Sequence, residues 1–324
     1  MSARMRILGV IAAAALVLVG AVALIAGRNG GGAEGSGAHK GAPPLALDLG
    51  LRTDAETAAL RRAVSLYDRG EREQAERIFS RYGSAPAQVG AAFAGWPNGT
   101  VAQLEGLAEQ FPDDSLVLLN LGLARYWSGD DKGAAAAWLD AFEAQPDTPS
   151  ALTADRLLHP NTPAGIPIFV PRFRVPALTG PPAKRLAQLR RAAAAPNVRA
   201  RLTYGIALQA LGRERSAERA YSSAVRLAPN DPDPLVAVAV ARFSRSDPGR
   251  AFSRLGPLTR RFPKAPTVRF HLGLLLAWLG RLDEAEKQFA RARALDPQDP
   301  LAKEAGRWLA RIRSAGARTP AATR

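Results

Sequence analysis

The side chains able to do acid–base or metal chemistry are few in this sequence and widely separated. The 324 residues include three histidines, His39, His159 and His271, and no cysteine. A zinc or thiolate site needs several such ligands at close spacing, and no metalloprotease, nucleophile-elbow or phosphate-loop motif occurs. We therefore expect no catalytic residue, no cofactor, no metal site and no small-molecule substrate, and we predict that the chain is not an enzyme.

Adjacent carboxylates are the remaining candidates for acid–base chemistry. They fall in turns or at the starts of predicted helices, where acidic side chains cap free backbone N–H groups and complement the helix dipole. We therefore interpret them as capping residues. The pairs are Asp113 with Asp114, Asp130 with Asp131, and Asp283 with Glu284.

The elements that carry these residues are organised by a repeat of 34 residues. Three segments, 198–231, 232–265 and 266–299, align without a gap. The positions that recur in phase are Ala217, Ala251 and Ala285, then Pro229, Pro263 and Pro297, then Gly205, Ala239 and Gly273. A helical pair of this length is too small to bury its own apolar face, so neighbouring pairs must stack and share one core.

The best copy resembles the tetratricopeptide repeat (TPR), a pair of antiparallel helices with small residues where they cross. The residues that carry the resemblance are Leu272, Gly273, Gly280, Ala285, Phe289, Ala292, Leu295, Asp296 and Pro297. The resemblance implies an all-α fold, a right-handed superhelical solenoid of helix-turn-helix repeats. We expect Gly205 and Gly273 to face Ala217 and Ala285, and Gly212 and Gly280 to end the first helices.

Further copies extend the array on both sides. Residues 115–148 form another good repeat, and 56–83 a degenerate one, so we assign 45–148 to N-terminal repeats. The C-terminal repeats span 184–314 and include a final amphipathic helix, Leu301 to Ser314, that caps the last repeat. Residues 315–324 are predicted to be a disordered tail.

The TPR resemblance also predicts where a partner binds, because the first helices of such repeats line a groove. Its groove positions include Gln209 and Asp233, but most carry apolar side chains, so we predict an apolar concave groove that binds an extended or helical peptide. The alternative for the aliphatic members is that they are simply core. The predicted groove residues are Tyr126, Trp127, Arg199, Leu202, Ile206, Val240, Phe243, Phe270, Leu274 and Trp278.

An insert interrupts the repeats between residues 149 and 183. It contains eight prolines, too many for helices beyond a short one at Ser150 to His159. Residues Ile166 to Val175 are too apolar for a solvated linker. We therefore predict an ordered, extended strap on the repeats, held by Phe169 and Phe173, which either braces the junction of the two halves or occupies the groove.

The N-terminus predicts a membrane segment. Residues 7–26 are 20 uncharged, mostly apolar residues, which at about 1.5 Å each span roughly 30 Å of bilayer. Arg4 and Arg6 precede them, so the positive charge places residues 1–6 in the cytoplasm and the repeats outside. A cleaved signal peptide is the alternative. Residues 27–44 are glycine-rich and are predicted to be a flexible linker.

Charge is distributed unevenly between the two halves. Residues 45–148 carry 9 Lys and Arg against 16 Asp and Glu, whereas residues 149–324 carry 31 against 12. The expected function is a non-catalytic protein-interaction scaffold of the bacterial cell envelope. The alternative is an envelope protein whose basic half binds an anionic polymer or lipid surface. Nucleic acid is not an expected partner.

Overall fold

The computed structural model describes residues 38–160, 162 and 166–316. Within those residues no helix is long and apolar enough to cross a membrane. The predicted cytoplasmic N-terminus 1–6, the membrane segment 7–26, residues 27–37 of the linker and residues 317–324 of the tail lie outside them. The described residues fall into two compact units, divided after Pro160, and contain helices but no strands.

The N-terminal unit contains seven helices, each packed against the next along the chain. The predicted repeat 115–148 corresponds to its fifth and sixth helices. The helices are α1 (Ala55–Asp68), α2 (Arg72–Phe79), α3 (Ala85–Ala94), α4 (Thr100–Gln110), α5 (Ser115–Trp127), α6 (Asp131–Ala144) and α7 (Pro149–Leu158).

The C-terminal unit contains eight helices. The three predicted repeats correspond to α9 with α10, α11 with α12, and α13 with α14, and the predicted capping helix to α15. The helices are α8 (Pro182–Ala194), α9 (Val198–Ala210), α10 (Glu214–Leu227), α11 (Pro232–Ala241), α12 (Gly249–Arg261), α13 (Pro266–Trp278), α14 (Leu282–Leu295) and α15 (Pro300–Gly316). The predicted all-α repeat architecture is confirmed for the described residues.

The ends of the helices follow from local chemistry. The carboxylates of Asp114 and Asp130 accept hydrogen bonds from backbone N–H groups at the starts of α5 and α6, so the acidic pairs to which they belong are capping residues, as predicted. Gly212 and Gly280 follow the first helices of their repeats with φ angles of 69° and 74°. A residue with a Cβ is strained in this region, which explains glycine at both turns.

The small residues inside the first helices of the repeats leave room for aromatic rings of the second helices. A Cβ at Gly273 would lie 2.9 Å from Cδ1 of Phe289, and a Cβ at Gly205 would overlap the ring of Tyr221. The prediction that these glycines face Ala285 and Ala217 stays a prediction. The nearest atoms belong to the aromatic residue four positions later, because a flat ring fills the space that glycine leaves.

Two stretches without helix pack against the repeats. Between α7 and α8, residues 166–175 run extended along the C-terminal unit, and we call them the strap. Residues 38–49 precede α1 in the N-terminal unit, and we call them the N-terminal segment. Pro43 is buried and Leu45 is 3% exposed, so the last residues of the predicted flexible linker are packed.

Candidate functional site

The residues predicted to line the partner-binding groove differ widely in exposure. Five are buried and therefore belong to the core in this conformation, and the others reach the surface at least in part. Their role in partner binding stays a prediction. Leu202, Val240, Phe270, Leu274 and Trp278 are buried, Tyr126, Trp127, Ile206 and Phe243 are half-buried, and Arg199 is exposed.

Phe169 of the strap fills a slot between helices of the C-terminal unit. Its side chain is 1% exposed. The ring stacks on His271 with a centroid distance of 5.0 Å and meets Tyr221 edge-on at 5.8 Å. Full burial of a phenylalanine contributes about 1.5–3 kcal/mol before the cost of ordering the chain. The prediction that Phe169 packs on the repeats is confirmed.

Side chains on α9 and α13, the first helices of their repeats, bind the backbone of the strap. The Phe169 N–H donates to Oε1 of Gln209 on α9 at 3.1 Å, and the Val170 N–H donates to Nε2 of His271 on α13 at 2.9 Å. Successive N–H groups of an extended chain point to opposite sides. The backbone of the strap is therefore hydrogen-bonded on two sides, to helices of the first and third C-terminal repeats.

Each of these acceptors is itself oriented by a further hydrogen bond. The hydroxyl of Tyr221 donates to Oε1 of Gln209 at 2.8 Å, and the Gln209 amide nitrogen donates to Glu214 at 3.3 Å. Nε2 of His271 accepts from Val170, so the ring proton is on Nδ1 and points to the Thr267 carbonyl at 2.7 Å. These bonds fix both side chains in the orientation that accepts a backbone N–H.

The imidazole of His271 is neutral at physiological pH. Burial lowers the pKa of His271 to about 4, because the charged form loses its hydration, and the Thr267 carbonyl only partly opposes the shift. A protonated ring would present an N–H to the N–H of Val170. Binding of the strap therefore requires the neutral imidazole.

Arg172 connects the strap to two buried carboxylates. Its Nε donates to Oδ1 and Oδ2 of Asp233 at 3.2 and 3.0 Å, and a second guanidinium nitrogen lies 3.7 Å from Asp299. Asp233 and Asp299 are 6% and 7% exposed. Burial raises the pKa of Asp233, and Arg172 opposes this shift. The arginine thus supplies the positive charge that these carboxylates require.

The strap ends in a weaker contact. Phe173 is half-buried and packs against the same core, with the guanidinium of Arg199 5.2 Å above its ring. Arg174 and Val175 are exposed. The prediction that the insert is an ordered strap on the repeats holds from Ile166 to Phe173, and the strap contacts three of the predicted groove positions, Arg199, Gln209 and Asp233.

The groove is less apolar than predicted. We define the C-terminal groove as the surface of the C-terminal unit that the strap covers, built mainly from α9, α11 and α13. Its polar groups that face the strap are Gln209, Asp233 and His271, together with Asp299 before α15. Phe169 packs in a cluster of apolar side chains, as predicted for the groove. The polar groups bind the backbone of the strap and the guanidinium of Arg172.

The N-terminal unit holds an extended stretch in a related way. The side chain of Asn120 on α5 accepts a hydrogen bond from the Ala46 N–H at 3.1 Å and donates to the Ala46 carbonyl at 2.8 Å. The hydroxyl of Tyr67 donates to the Pro43 carbonyl at 2.6 Å. These hydrogen bonds are made to the backbone of the N-terminal segment and involve no charged group.

Two aromatic residues that were predicted to line the groove contact the first residues of the N-terminal segment. The ring of His39 stacks on Tyr126 at a centroid distance of 4.5 Å and lies 5.2 Å from Trp127. The His39 N–H donates to the Trp127 carbonyl at 2.8 Å. Tyr126 and Trp127 therefore contact an extended part of their own chain.

Sequence reasoning did not identify Asn120 or His271 as binding residues. Each is the sixth residue of its repeat, 115–148 or 266–299, a place outside the groove positions that the TPR resemblance supplies. Both are fully buried polar residues on otherwise apolar helices. A single polar residue in an apolar helix could have indicated these sites, since a buried polar group needs a hydrogen-bond partner.

The histidine and acidic side chains of the described residues form no cluster suited to a metal ion. Across residues 38–160, 162 and 166–316, no group of three or more histidine or acidic side chains is arranged to hold a metal ion. His159 binds the carbonyl of Asp155 with its Nδ1 at the end of α7. His39 and His271 contact extended chain, as described above.

Part of the C-terminal unit is similar to a known protein family. Residues 238–300 match the family model described as tetratricopeptide repeat. No curated protein sequence matches the chain significantly. The matched residues include α13 and α14, the repeat that carries His271.

Several solved structures are similar in fold at low sequence identity. Yeast Tom70 is 15% identical, with 84% of this chain and 52% of that chain covered and a TM-score of 0.37; this chain therefore spans about half its length. YrrB, described as a TPR protein with an unusual peptide-binding site, is 15% identical over 63% of this chain and 97% of its own, with a TM-score of 0.30. A TPR protein from Parabacteroides merdae is 13% identical over 80% and 98%, with a TM-score of 0.32.

Proposed function

We propose that this chain, whose residues 238–300 match the tetratricopeptide repeat, is a non-catalytic scaffold that binds an extended segment of a partner protein. The observation that carries the proposal is the strap. The C-terminal groove already holds an extended peptide, with Gln209 and His271 accepting hydrogen bonds from successive backbone N–H groups. Such main-chain contacts supply affinity, and the side-chain slots between them supply specificity.

The strap is the intramolecular occupant of the binding site in this proposal. A partner replaces it by presenting a segment of similar chemistry. Because the strap is part of the same chain, its effective concentration at the groove is high, in the millimolar range for short connections. The resting groove is therefore closed, and binding depends on strap release.

Photocrosslinking in intact cells tests the scaffold proposal. A benzophenone amino acid at Phe243, half-buried on the groove face, should capture a partner protein. The control is the same substitution at Leu227, which is 37% exposed at the end of α10, the second helix of its repeat. Releasing the strap by Phe169→Ala with Arg172→Ala should raise the yield at Phe243 only. Equal yields at both positions, unchanged by strap release, would count against the groove.

We also propose that the protein acts in the bacterial envelope, with the repeats outside the cytoplasmic membrane. The support is the apolar run 7–26 with Arg4 and Arg6 before it. Protease added to intact spheroplasts should digest the repeats. Protection until the membrane is broken contradicts export, whereas a mature N-terminus at Leu24 contradicts the anchor and favours secretion after cleavage.

The alternative function is binding of an anionic polymer or lipid surface. It is favoured by the 31 Lys and Arg against 12 Asp and Glu from residue 149 onward. Binding to such a surface releases counterions and weakens steeply with salt. Peptide binding in the groove depends on backbone hydrogen bonds, apolar contact and one ion pair with buried carboxylates, which salt screens much less than exposed charges. Capture that survives 0.5 M salt supports the scaffold, and capture lost above about 0.2 M salt supports the alternative.

A further inference from the structure

We propose that the C-terminal groove, once released from its strap, binds in trans an extended peptide that carries an aromatic residue three positions before an arginine. The proposal rests on the peptide-binding function above and names the chemistry of the partner.

The groove faces the strap with hydrogen-bond acceptors. Oε1 of Gln209, Nε2 of His271 and the carboxylate of Asp233 all accept from the strap. An emptied groove leaves these buried acceptors without that partner, which is unfavourable. The ligand that fits must therefore supply donors in the same order, namely two successive backbone N–H groups followed by a cation.

This requirement excludes proline from two positions of the ligand. Phe169 and Val170 donate their N–H groups, and the strap has proline just outside that pair, at Pro167 and Pro171. Proline has no N–H to donate but favours an extended chain. The permitted pattern is thus an aromatic residue, then a residue other than proline, then any residue including proline, then arginine.

The aromatic position is specified by the slot around Phe169. The ring lies between the imidazole of His271, parallel within 13°, and the edge of Tyr221 at 66°. One stacked ring and one edge-on ring favour an aromatic side chain over an aliphatic one at this position. A leucine would fill less of the slot and would lose the stacking contact.

The arginine position is specified by two carboxylates. Asp233 takes two contacts from Nε of Arg172, and Asp299 lies near another nitrogen of the same guanidinium. A guanidinium can approach both carboxylates at once because its nitrogens are arranged as a planar fork, whereas a lysine ammonium is a single point charge. An arginine three residues after the aromatic ring therefore fits this site best.

The experiment uses the full chain with Phe169→Ala and Arg172→Ala, which removes both anchors of the strap. The probe is a fluorescein-labelled peptide with the sequence of residues 166–175, and binding is followed by anisotropy. We expect at least 10-fold tighter binding to this variant than to the unmodified chain. Two further peptides are matched controls: one carries Arg172→Glu, the other Arg174→Glu, the same change at an exposed residue.

The Arg172→Glu peptide should bind at least 10-fold more weakly, and the Arg174→Glu peptide within about 3-fold of the original. Equal affinity of both overturns the proposed motif and leaves the groove as a peptide site. Failure of every peptide to bind a variant that keeps its helical circular dichroism overturns the motif and the peptide-binding function together.

A second readout covers the case in which the variant loses its fold. The chain has no cysteine, so Val175→Cys, at a residue 39% exposed, takes one fluorophore at the end of the intact strap. Millimolar unlabelled 166–175 peptide should displace the strap and change the fluorescence, and the Arg172→Glu peptide should not. An identical response to both peptides, or none to either, overturns the proposal.

Discussion

Asn120 in the N-terminal unit and His271 in the C-terminal unit occupy the same place in their repeats, yet they hold an extended chain through different chemistry. The Asn120 amide both donates to and accepts from the backbone of Ala46. The His271 imidazole accepts only, from Val170. Around it, the C-terminal unit adds Arg172 and its carboxylates, whereas the N-terminal contacts carry no charge.

The difference indicates which extended stretch can be released. A neutral amide keeps its hydrogen bonds whatever the pH or salt concentration. The His271 imidazole accepts its hydrogen bond only while it is neutral, and the ion pair of Arg172 can be weakened by salt. The N-terminal segment is thus a permanent part of its unit, and the strap is held by contacts that solution conditions or a competing arginine can weaken.

The largest expected effect is on the strap itself. Phe169→Ala should lower the free energy of unfolding of the C-terminal unit by about 3–5 kcal/mol, because it empties a fully buried aromatic slot. Urea denaturation followed by circular dichroism measures the loss. Val175→Ala, at the exposed end of the strap, is the control and should change stability by less than about 0.5 kcal/mol. Equal losses would mean that the strap contributes little.

The next effect distinguishes the two units by pH. The pKa of His271 is about 4 in the folded chain against 6.5 as the ordinary value, so the unfolded chain takes up the proton at higher pH. The contribution of His271 is complete above pH 6.5 and is lost as the pH falls to about 4. It amounts to about 3 kcal/mol at about 1.4 kcal/mol for each pH unit.

His271→Gln provides the control for this pH dependence, because glutamine offers an acceptor at a similar distance and does not titrate. Asp233 acts in the opposite direction, since its pKa is raised in the folded chain and its protonation favours folding as the pH falls. This contribution remains in the variant. The difference in unfolding free energy between the two chains from pH 7 to pH 4 therefore isolates the imidazole, and a constant difference contradicts the prediction.

A smaller effect is expected from the N-terminal counterpart. Asn120→Ala should cost about 2 kcal/mol, because the partly buried N–H and carbonyl of Ala46 lose their partner. The loss should be the same at pH 5 and pH 7, unlike that of the strap. Gln103→Ala, an exposed amide on α4, is the control. A pH-dependent loss at Asn120 would remove the distinction between the two units.

The smallest effect tests the packing of an aromatic ring against a helix glycine, which occurs in both units. Gly205→Ala places a methyl group against the Tyr221 ring and should cost about 1–3 kcal/mol by overpacking. Gly306→Ala, in α15 with open space around it, should instead stabilise by up to about 1 kcal/mol through helix propensity. Differential scanning calorimetry gives both values. The same sign for both variants would contradict the aromatic packing at Gly205.

The repeat architecture could be predicted because its signals are local and periodic. Pro229 and Pro263 end second helices and Gly212 ends a first helix, so the spacing of 34 residues fixes the register of each pair. The aromatic rings that lie against Gly205 and Gly273 were not predicted. Sequence spacing identifies a close approach of two helices, but not which side chain fills it.

The binding site could be predicted only in part. The apolar strap and Phe169 were identified because an apolar, proline-rich stretch must be covered by something. The partner of Val170, by contrast, is His271, 101 residues away. No periodicity links such residues. The groove position of Gln209 was recognised, but its role depended on an orientation that Tyr221 and Glu214 impose in three dimensions.

Phe169 and Val170 are neighbours in the chain, yet they bind helices of the first and third C-terminal repeats. In a simple repeat array each unit interacts only with its nearest neighbours, so its unfolding follows a one-dimensional Ising chain in which the ends fray first. The strap adds a direct coupling between units that are two places apart. Such a coupling raises the cooperativity of the array. We therefore expect the three repeats to melt together, and removal of the strap to broaden the transition and let the last repeat open by itself.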